Sequence, residues 1–142
     1  MSTEKNVALI NRVLELINDR NLDEAFELYD LDYIYHGPGG QELRGRGGIR
    51  GLWDLFLTAF PDLTSSVDEV ISEGNKVALR WTIRGTHTGE LLGIPASNKS
   101  ITLPITEVFR VENGQLAEAW DRYDRLHLME QIGAAPAPSA AG

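Results

Sequence analysis

Residues 101–124 have the sequence ITLPITEVFRVENGQLAEAWDRYD, in which two strand-like runs flank an Asn-Gly pair. Apolar and polar side chains alternate in both runs, as they do in strands that bury one face. Asn113 and Gly114 both tolerate a left-handed backbone, so they suit a tight reversal of the chain. The stretch therefore predicts an antiparallel hairpin whose strands cover residues 101–112 and 116–124.

The register of this hairpin decides whether two acidic side chains share a face of the sheet. We favour a three-residue loop, a type I turn followed by a left-handed residue, which pairs Val111 with Gln115. That register places Glu107 and Asp121 on one face as diagonal neighbours, with Cα atoms about 7–8 Å apart. A two-residue turn would instead pair Glu112 with Gln115 and put the two carboxylates on opposite faces.

Along the rest of the chain, the hydrophobic period changes from helical to strand-like on the way to this hairpin. Residues 76–87 alternate well between apolar and polar side chains, and residues 66–73 do so loosely, so both are predicted strands. A short strand rich in aromatic residues is predicted at 32–36, and a terminal helical turn at 126–132. Helical spacing predicts three further helices, at 3–21, 22–28 and 49–60.

Helices followed by antiparallel strands indicate the α+β class, with the helices packed on one face of a mainly antiparallel sheet. We expect the hairpin-connected strands to form a strongly curved sheet, and the helices on its concave side to leave a cone-shaped pocket. One domain, residues 1–133, accommodates all of these elements. Residues 134–142 are small or proline, and we expect them to form a disordered tail. The glycine-rich stretch 37–48 is predicted to be a loop that lacks the features of a phosphate-binding loop.

The composition argues against several classes of function. A net charge of −8 disfavours binding to nucleic acid or to an anionic membrane surface, since both need clustered Lys and Arg. The chain has no cysteine, so it has no disulfide, thiolate metal ligand or thiol nucleophile. Its three histidines, His36, His87 and His127, lack metal-ligand spacing, so no metal is expected. We expect a cytoplasmic protein, because neither a signal peptide nor a membrane-spanning run is visible.

Asp121, near the end of the last predicted strand, is the first candidate catalytic residue. Its neighbours on the same face are Ala117, Ala119 and Tyr123, two small side chains and an aromatic ring that would leave an apolar hollow. A carboxylate in such a hollow has a raised pKa, which suits proton transfer near neutral pH. Asp124 has the opposite parity and is predicted to cap the terminal helical turn instead.

Glu107 is the second candidate catalytic residue, because the predicted hairpin brings it close to Asp121. Two acids that converge in an apolar hollow push their pKa values apart, so that one acts as a base while the other holds a proton. The alternative is structural: Glu107 would form an ion pair with Arg80 or Arg110, and Asp121 with Arg122.

Other side chains on the inner faces are predicted to line the pocket and to bind a small apolar ligand. The phenols of the early strand could hold a substrate oxygen, or could belong to ordinary aromatic packing. His87 could edge the pocket, or could be a structural histidine that orients the connection at 88–99. The candidate ligand-binding residues are Tyr33, Tyr35, Trp53, Phe56, Trp81, His87, Leu103, Ile105, Phe109, Ala119 and Tyr123.

Four stretches together resemble one known family. They are FPDL at 60–63, GTHTGELLGIP at 85–95, FRVENGQLAEAWD at 109–121 and MEQIG at 129–133. In order and spacing they resemble the SnoaL-like polyketide cyclases, over nearly the whole chain except the tail. The resemblance implies the nuclear transport factor 2-like (cystatin-like) α+β barrel, which is shared with ketosteroid isomerases and limonene epoxide hydrolase.

The resemblance also implies a function. In aromatic polyketide cyclases of this family, an aspartate on the last strand is the general acid/base of an intramolecular aldol closure that uses no metal or cofactor. By its spacing from the matching motifs, that aspartate falls on Asp121. Those cyclases have a histidine where this chain has Glu107, and an asparagine near the position of Tyr35.

We therefore expect a cofactor-free enzyme that catalyses aldol-type ring closure, or isomerisation, of a small apolar carbonyl compound. Two alternatives stay open: epoxide hydrolysis by water activated in the same pocket, and a non-catalytic module that binds a small ligand or a partner. Trp120 points to the outer face of the sheet, away from Asp121. With the habit of the family, this large outer aromatic predicts a homodimer.

Overall fold

The computed structural model of the protein describes residues 3–134. The predicted tail lies outside these residues, apart from Ala134. Within this range the chain forms four α-helices: α1 Thr3–Asn18, α2 Leu22–Glu27, α3 Gly45–Ala59 and α4 Arg125–Gln131. It also forms six strands: β1 Tyr29–His36, β2 Glu42–Arg44, β3 Thr64–Glu73, β4 Lys76–Thr86, β5 Ser100–Glu112 and β6 Gln115–Arg122.

The six strands form one sheet in the order β2-β1-β6-β5-β4-β3. The β1–β6 pair is parallel and every other pair is antiparallel. Helix α1 packs against β3 and β4, and α3 packs against β1. Every second residue of β5 from Ile101 to Val111 is buried, which shows that one face of this strand belongs to the core. The predicted α+β barrel with a mainly antiparallel sheet is thus confirmed.

The stretch 37–48 is not the loop that the sequence predicts. It contains a 3₁₀ turn at Pro38–Gly40, strand β2 and the first turn of α3. Glycine is a poor helix former, so periodicity does not reveal a helix that begins at Gly45. Tertiary contacts stabilise this first turn, because the Arg46 guanidinium donates to the backbone carbonyls of Tyr29 (2.8 Å) and Glu27 (3.2 Å).

The turn between β5 and β6 also differs from the prediction. Asn113 and Gly114 both have positive φ angles, 52° and 72°, and Glu112 pairs with Gln115. This is a two-residue turn, so the predicted three-residue loop is wrong. Positive φ at both central positions is what the right-handed twist of a hairpin favours.

A β-bulge next to this turn restores the predicted face. Val111 pairs with Leu116, but Arg110 pairs with Glu118, so β6 carries one extra residue between these pairs. A single inserted residue reverses the side-chain parity beyond it. As a result Glu107 and Asp121 share a face after all, as directly opposed partners rather than diagonal neighbours.

The connection between β4 and β5 is attached to the C-terminal end of α3. The backbone N–H groups of Thr88 and Gly89 both donate to the Ala59 carbonyl, at 3.1 Å. Leu91 and Ile94 then form an isolated antiparallel bridge. The connection therefore lies directly beside α3, where it can contribute walls to a pocket.

Gly89→Ala should destabilise the protein, because an alanine Cβ would lie 1.9 Å from the Thr58 carbonyl oxygen. Relieving this contact with rigid backbone is expected to cost about 3 kcal/mol of unfolding free energy, measured by urea titration. Gly51→Ala is the matched control, since Gly51 is an exposed residue of α3 with open space around it. It should stabilise the protein by about 0.5–1 kcal/mol. Equal stability of Gly89→Ala and the parent would contradict this account.

Within residues 3–134, no helix has both the length and the apolar character that crossing a membrane requires.

Candidate active site

An apolar chamber lies between α1, α3 and the inner face of the sheet. The volume available to the centre of a water molecule inside it is about 40 Å³. The total volume not filled by atoms, including the part open to solvent, is about 570 Å³. Most of its walls are aromatic or aliphatic, with two carboxylates among them. The predicted site residues that line it are Tyr33, Tyr35, Trp53, Phe56, Trp81, Ile105, Glu107, Phe109, Asp121 and Tyr123.

Three predicted ligand-binding residues do not line this chamber: His87, Leu103 and Ala119. Leu103 and Ala119 point to the expected face but are completely buried in the core. Ala119 pairs with Tyr35 on one side and Phe109 on the other, and these larger rings surround its methyl group. Parity along a strand predicts the face that a side chain occupies, but not whether larger neighbours cover it.

His87 has the structural role that the sequence analysis left as the alternative. It is completely buried, and its Nδ1 accepts a hydrogen bond from the Ser97 backbone N–H (3.1 Å). Its own backbone pairs with Lys99 and Asn98. His87 therefore holds the two ends of the connection at 88–99 together, away from the chamber.

Sequence reasoning missed several chamber residues. Tyr29 has the same parity as Tyr33, but the predicted strand began three residues too late to include it. A β1 strand extended to Tyr29 would have included this ring. The other missed residues looked like ordinary core positions: Ile10, Val13, Leu14, Ile49, Leu52, Ile83 and Leu116.

Glu107 and Asp121 form the polar centre of the chamber. They are direct partners across β5 and β6, and they are only 4% and 5% exposed. The parallel β1–β6 pairing places Tyr35 beside Ala119, so its ring extends along the sheet towards Asp121. The Tyr35 hydroxyl donates to Asp121 Oδ2 at 2.5 Å. One carboxylate oxygen of Asp121 is therefore held by a neighbour, while Oδ1 has no partner in the described part of the chain.

Burial separates the protonation states of the two carboxyls. It raises the pKa of Asp121 to about 6, although the Tyr35 hydrogen bond and the positive charge of Arg122 lower it. Burial raises the pKa of Glu107 well above its usual range, and the negative charge of Asp121 adds to this effect. The indole N–H of Trp81 partly offsets the rise. As the pH rises, Asp121 is therefore the first of the two carboxyls to ionise, and Glu107 keeps its proton longer.

The ion-pair alternative is wrong for both acids. Arg80 is bound to Glu69 at 2.8 Å, and Arg110 is bound to Glu112 and Glu118. Arg122 donates to the backbone carbonyl of Asp121 (2.7 Å) rather than to its carboxylate. In the described chain, residues 3–134, neither Glu107 nor Asp121 has a salt bridge.

Three buried polar atoms of the chamber residues have no hydrogen-bond partner among residues 3–134. They are the Tyr33 hydroxyl, Trp81 Nε1 and Asp121 Oδ1. Trp81 Nε1 is near enough to Glu107 to affect its pKa, but it does not reach hydrogen-bond geometry. Leaving such a group unpaired costs about 1–3 kcal/mol, so complementary polar groups of a ligand would be favoured here. The chamber thus presents two donors and one acceptor to a guest.

Residues 3–134 contain no cluster of three or more His, Asp or Glu side chains that could hold a metal ion.

The SnoaL-like polyketide cyclase family matches this sequence over residues 7–132. This chain belongs to the SnoaL-like polyketide cyclase family. The resemblance inferred from the four sequence stretches is therefore confirmed. Membership of the family supports a cofactor-independent cyclase activity in general terms.

Three relatives of this SnoaL-like protein have similar sequences or structures, and two of them are named as cyclases. Aklanonic acid methyl ester cyclase DnrD from Streptomyces peucetius is 27% identical over 146 residues, which cover 100% of this chain and 98% of DnrD. The structure of AclR from Streptomyces galilaeus, a proposed hydroxylase, gives a TM-score of 0.87 at 25% identity, covering 99% of this chain and 88% of AclR. IdmH from Streptomyces antibioticus, a proposed polyketide cyclase, gives 0.79 at 30% identity, with 90% and 98% covered.

The pH dependence of folding stability should report the raised pKa of Asp121. Between its usual pKa of 3.8 and its folded value of about 6, the folded protein holds a proton that the unfolded chain releases. The stabilising contribution of this carboxyl is therefore complete below about pH 4 and is lost as the pH rises through about 6. Asp121→Asn, which does not titrate, should gain on the order of 3 kcal/mol relative to the parent over that range.

Urea unfolding of both proteins across this pH range measures the effect. The pKa values of Asp62 and Glu118 are lowered by their hydrogen bonds. Their contribution to folding stability therefore increases as the pH rises, opposite to that of Asp121. They are present in both proteins and cancel in the difference. Glu107 does not cancel, because removing the charge of Asp121 removes one cause of its raised pKa. A stability difference that does not change with pH would contradict the raised pKa of Asp121.

Proposed function

We propose that this protein is a cofactor-independent cyclase that closes a ring by an intramolecular aldol reaction, with Asp121 as the general acid/base. The observation that supports this proposal best is the asymmetry of the Asp121 carboxylate. One of its oxygens is held by Tyr35, and the other has no protein partner in an apolar chamber. A base in this state has a pKa near the working pH and a free lone pair to accept a proton.

The proposed reaction has three proton and electron movements. Asp121 Oδ1 takes a proton from the carbon next to a substrate carbonyl, and the electron pair of that C–H bond moves to form an enolate. The enolate carbon attacks a second carbonyl carbon of the same molecule, which forms the new C–C bond and an alkoxide. The alkoxide then receives the proton from Asp121, so the enzyme returns to its starting state. A positioned base of this kind contributes on the order of 10²–10⁴ in rate.

Glu107 would serve as the electrophilic partner of this base. Because burial and the charge of Asp121 raise the pKa of its carboxyl, Glu107 keeps a proton more readily than Asp121 and can donate a hydrogen bond to the developing enolate oxygen. The Tyr33 hydroxyl, which has no protein partner, is a second donor of this kind. Donors in a buried apolar site stabilise a developing negative charge more strongly than water does.

The substrate class follows from the walls of the chamber and from the relatives. The predominantly aromatic and aliphatic lining favours an apolar carbonyl compound. DnrD and the related DauD are named aklanonic acid methyl ester cyclases, so a polyketide-derived compound with several carbonyl groups is the class that we propose. The space open to a water centre is only about 40 Å³, so a substrate of this kind must extend beyond the chamber.

Proton exchange with solvent tests the central step without knowledge of the natural substrate. The probe is 2-tetralone, an apolar bicyclic ketone, and NMR in D₂O follows the loss of its α-proton signals. The parent protein should accelerate this exchange well above the buffer rate. Asp124→Asn is the control, because Asp124 caps α4 and asparagine is an equally good capping residue. It should keep the parent rate, and no acceleration by the parent would contradict the proposed function.

Epoxide hydrolysis is the second candidate, favoured by the same pair of adjacent acids. Asp121 would activate a water molecule, and protonated Glu107 would donate to the epoxide oxygen as the ring opens. Styrene oxide in ¹⁸O-labelled water distinguishes the two reactions. Labelled diol would support hydrolysis, whereas α-proton exchange without diol would support the cyclase.

A non-catalytic ligand-binding role would leave both assays at the buffer rate.

The homodimer also stays a prediction. The outer ring of Trp120 is partly covered by the chain itself, since it stacks on His36 at 5.5 Å and lies below Lys76 Nζ at 5.9 Å. A cytoplasmic location stays a prediction as well.

A further inference from the structure

A second pocket, which we call the outer pocket, lies next to the chamber. Side chains of α3, of the connection at 88–99 and of α4 form most of it. The centre of a water molecule can reach about 90 Å³ of it. Its lining is mostly aliphatic: Leu52, Leu55, Phe56, Leu91, Leu92, Tyr123, Leu128 and Met129, with Gln41 and Arg125 as the polar members.

The outer pocket and the chamber share three wall residues. Leu52, Phe56 and Tyr123 line both spaces. The rings of Phe56 and Tyr123 meet edge to face, with centroids 6.2 Å apart. These three side chains therefore stand between the two spaces. The outer pocket therefore lies where a substrate too long for the chamber would extend.

Arg125 differs from the other arginines of this protein. Each of the others, all within residues 3–134, donates at least one side-chain hydrogen bond. Arg125 has none, although the chain has a net charge of −8 and offers many carboxylates. Its guanidinium lies close to Gly39. Burial and the negative charge of Asp121 raise the pKa of Tyr123, whose ring belongs to both pockets, and the charge of Arg125 partly offsets this rise. Arg125 is exposed, so its guanidinium lies in solvent at the edge of this apolar pocket, free of protein partners within residues 3–134.

Leu92 adds a second indication that this surface receives a ligand. It is 68% exposed and has a positive φ of 49°, an uncommon conformation for leucine. Its neighbour Leu91 is buried and forms the inner part of the same wall. The apolar part of a bound ligand would cover Leu92 and remove its side chain from water.

We propose that the outer pocket binds the carboxylate-bearing end of an elongated apolar substrate, with Arg125 pairing with the carboxylate while the reactive carbonyl end occupies the chamber. This assignment rests on the proposed function, since it names one chemical feature of the same substrate. It makes that substrate a free acid, whereas the substrates in the names of DnrD and DauD are methyl esters. The planar guanidinium offers two parallel N–H donors to a carboxylate, a geometry that gives both affinity and orientation. Arg125 would thereby set which end of the substrate enters the chamber.

A matched pair of probes tests this assignment by binding alone. They are 6-acetyl-2-naphthoic acid, with a ketone at one end and a carboxylate at the other, and its methyl ester. Calorimetry near neutral pH should show that the parent binds the acid on the order of tenfold more tightly than the ester. Arg125→Gln should lose this preference, because it should bind the acid more weakly and bind the ester as tightly as the parent does.

Arg84→Gln is the control, because it makes the same change of charge. Arg84 is exposed, donates only to Ser66 and lines a separate groove. It should keep the preference for the acid. Equal binding of acid and ester by the parent, no binding of either at millimolar concentration, or equal loss in the Arg84→Gln and Arg125→Gln variants would each overturn the assignment.

The two proposals can fail separately. If the parent shows no α-proton exchange but an Arg125-dependent preference for the acid, the cyclase function fails and the outer pocket stands as a carboxylate site. If exchange depends on Asp121 but the acid preference is missing, the cyclase stands and the outer pocket assignment fails.

Discussion

Asp121→Asn is expected to slow proton abstraction from an apolar ketone by about 10²–10⁴ relative to the parent. Asparagine has nearly the same size and can still accept the hydrogen bond that Tyr35 donates to Asp121. It cannot accept a proton from carbon, because its amide is not a base near neutral pH. The loss should therefore appear in the rate rather than in the shape of the chamber. The 2-tetralone exchange assay in D₂O measures it.

The folded state of this variant is the control for the loss of rate. Because the buried negative charge is removed, Asp121→Asn should be at least as stable as the parent near pH 7. A folded variant with a rate within a few-fold of the parent would show that Asp121 is not the base. An unfolded variant would contradict the pKa argument, since that argument predicts a gain in stability.

Glu107→Leu is expected to lower the exchange rate by about 10²–10³, whereas Glu107→Gln should stay within about tenfold of the parent. The reason is the protonated state of Glu107, which makes it a hydrogen-bond donor to an enolate oxygen. Glutamine keeps a neutral side chain of the same length with an N–H donor. Leucine keeps much of the volume but has no donor, and it suits a site that is 4% exposed.

The comparison of these two variants separates three roles of Glu107. If both keep the parent rate, Glu107 does not contact the reacting atoms. If both lose activity equally, the acidic proton itself is needed, as the epoxide mechanism requires. Only a large loss in Glu107→Leu with a small loss in Glu107→Gln agrees with the donor role. Each rate is compared with the urea stability of the same variant.

The hairpin shows how far sequence reasoning extends in this protein. Alternation along β5 predicts that Glu107 lies among buried side chains, because parity is a local property of an extended chain. The choice of turn was wrong, and the bulge at Ala117 was not predicted. The two-residue turn and the one-residue bulge together put the side chains of β6 on the same faces as the predicted three-residue loop would. For this reason a wrong register still led to the correct face.

Contacts that join distant parts of the chain were beyond the same reasoning. Tyr35 and Asp121 are 86 positions apart, and they meet because β1 runs parallel to β6. The alternation of side chains along β1 or β6 does not indicate that these two strands are neighbours in the sheet. The same limit explains His87, whose alternation with the apolar face of β4 suggested a pocket residue. Its burial beside Ser97 depends on how the connection at 88–99 folds back.

The sequence by itself determined the order of helices and strands, the family and the face of the sheet that Glu107 and Asp121 share. These follow from side-chain periodicity and short motifs, which act over a few neighbouring residues. Only the tertiary structure decided that both carboxyls are buried without ion pairs, that Tyr35 holds one oxygen of Asp121 and that Arg125 stands unpaired at the outer pocket. The protonation states depend on burial and on charges brought together from distant strands, so they exist only once the chain has folded.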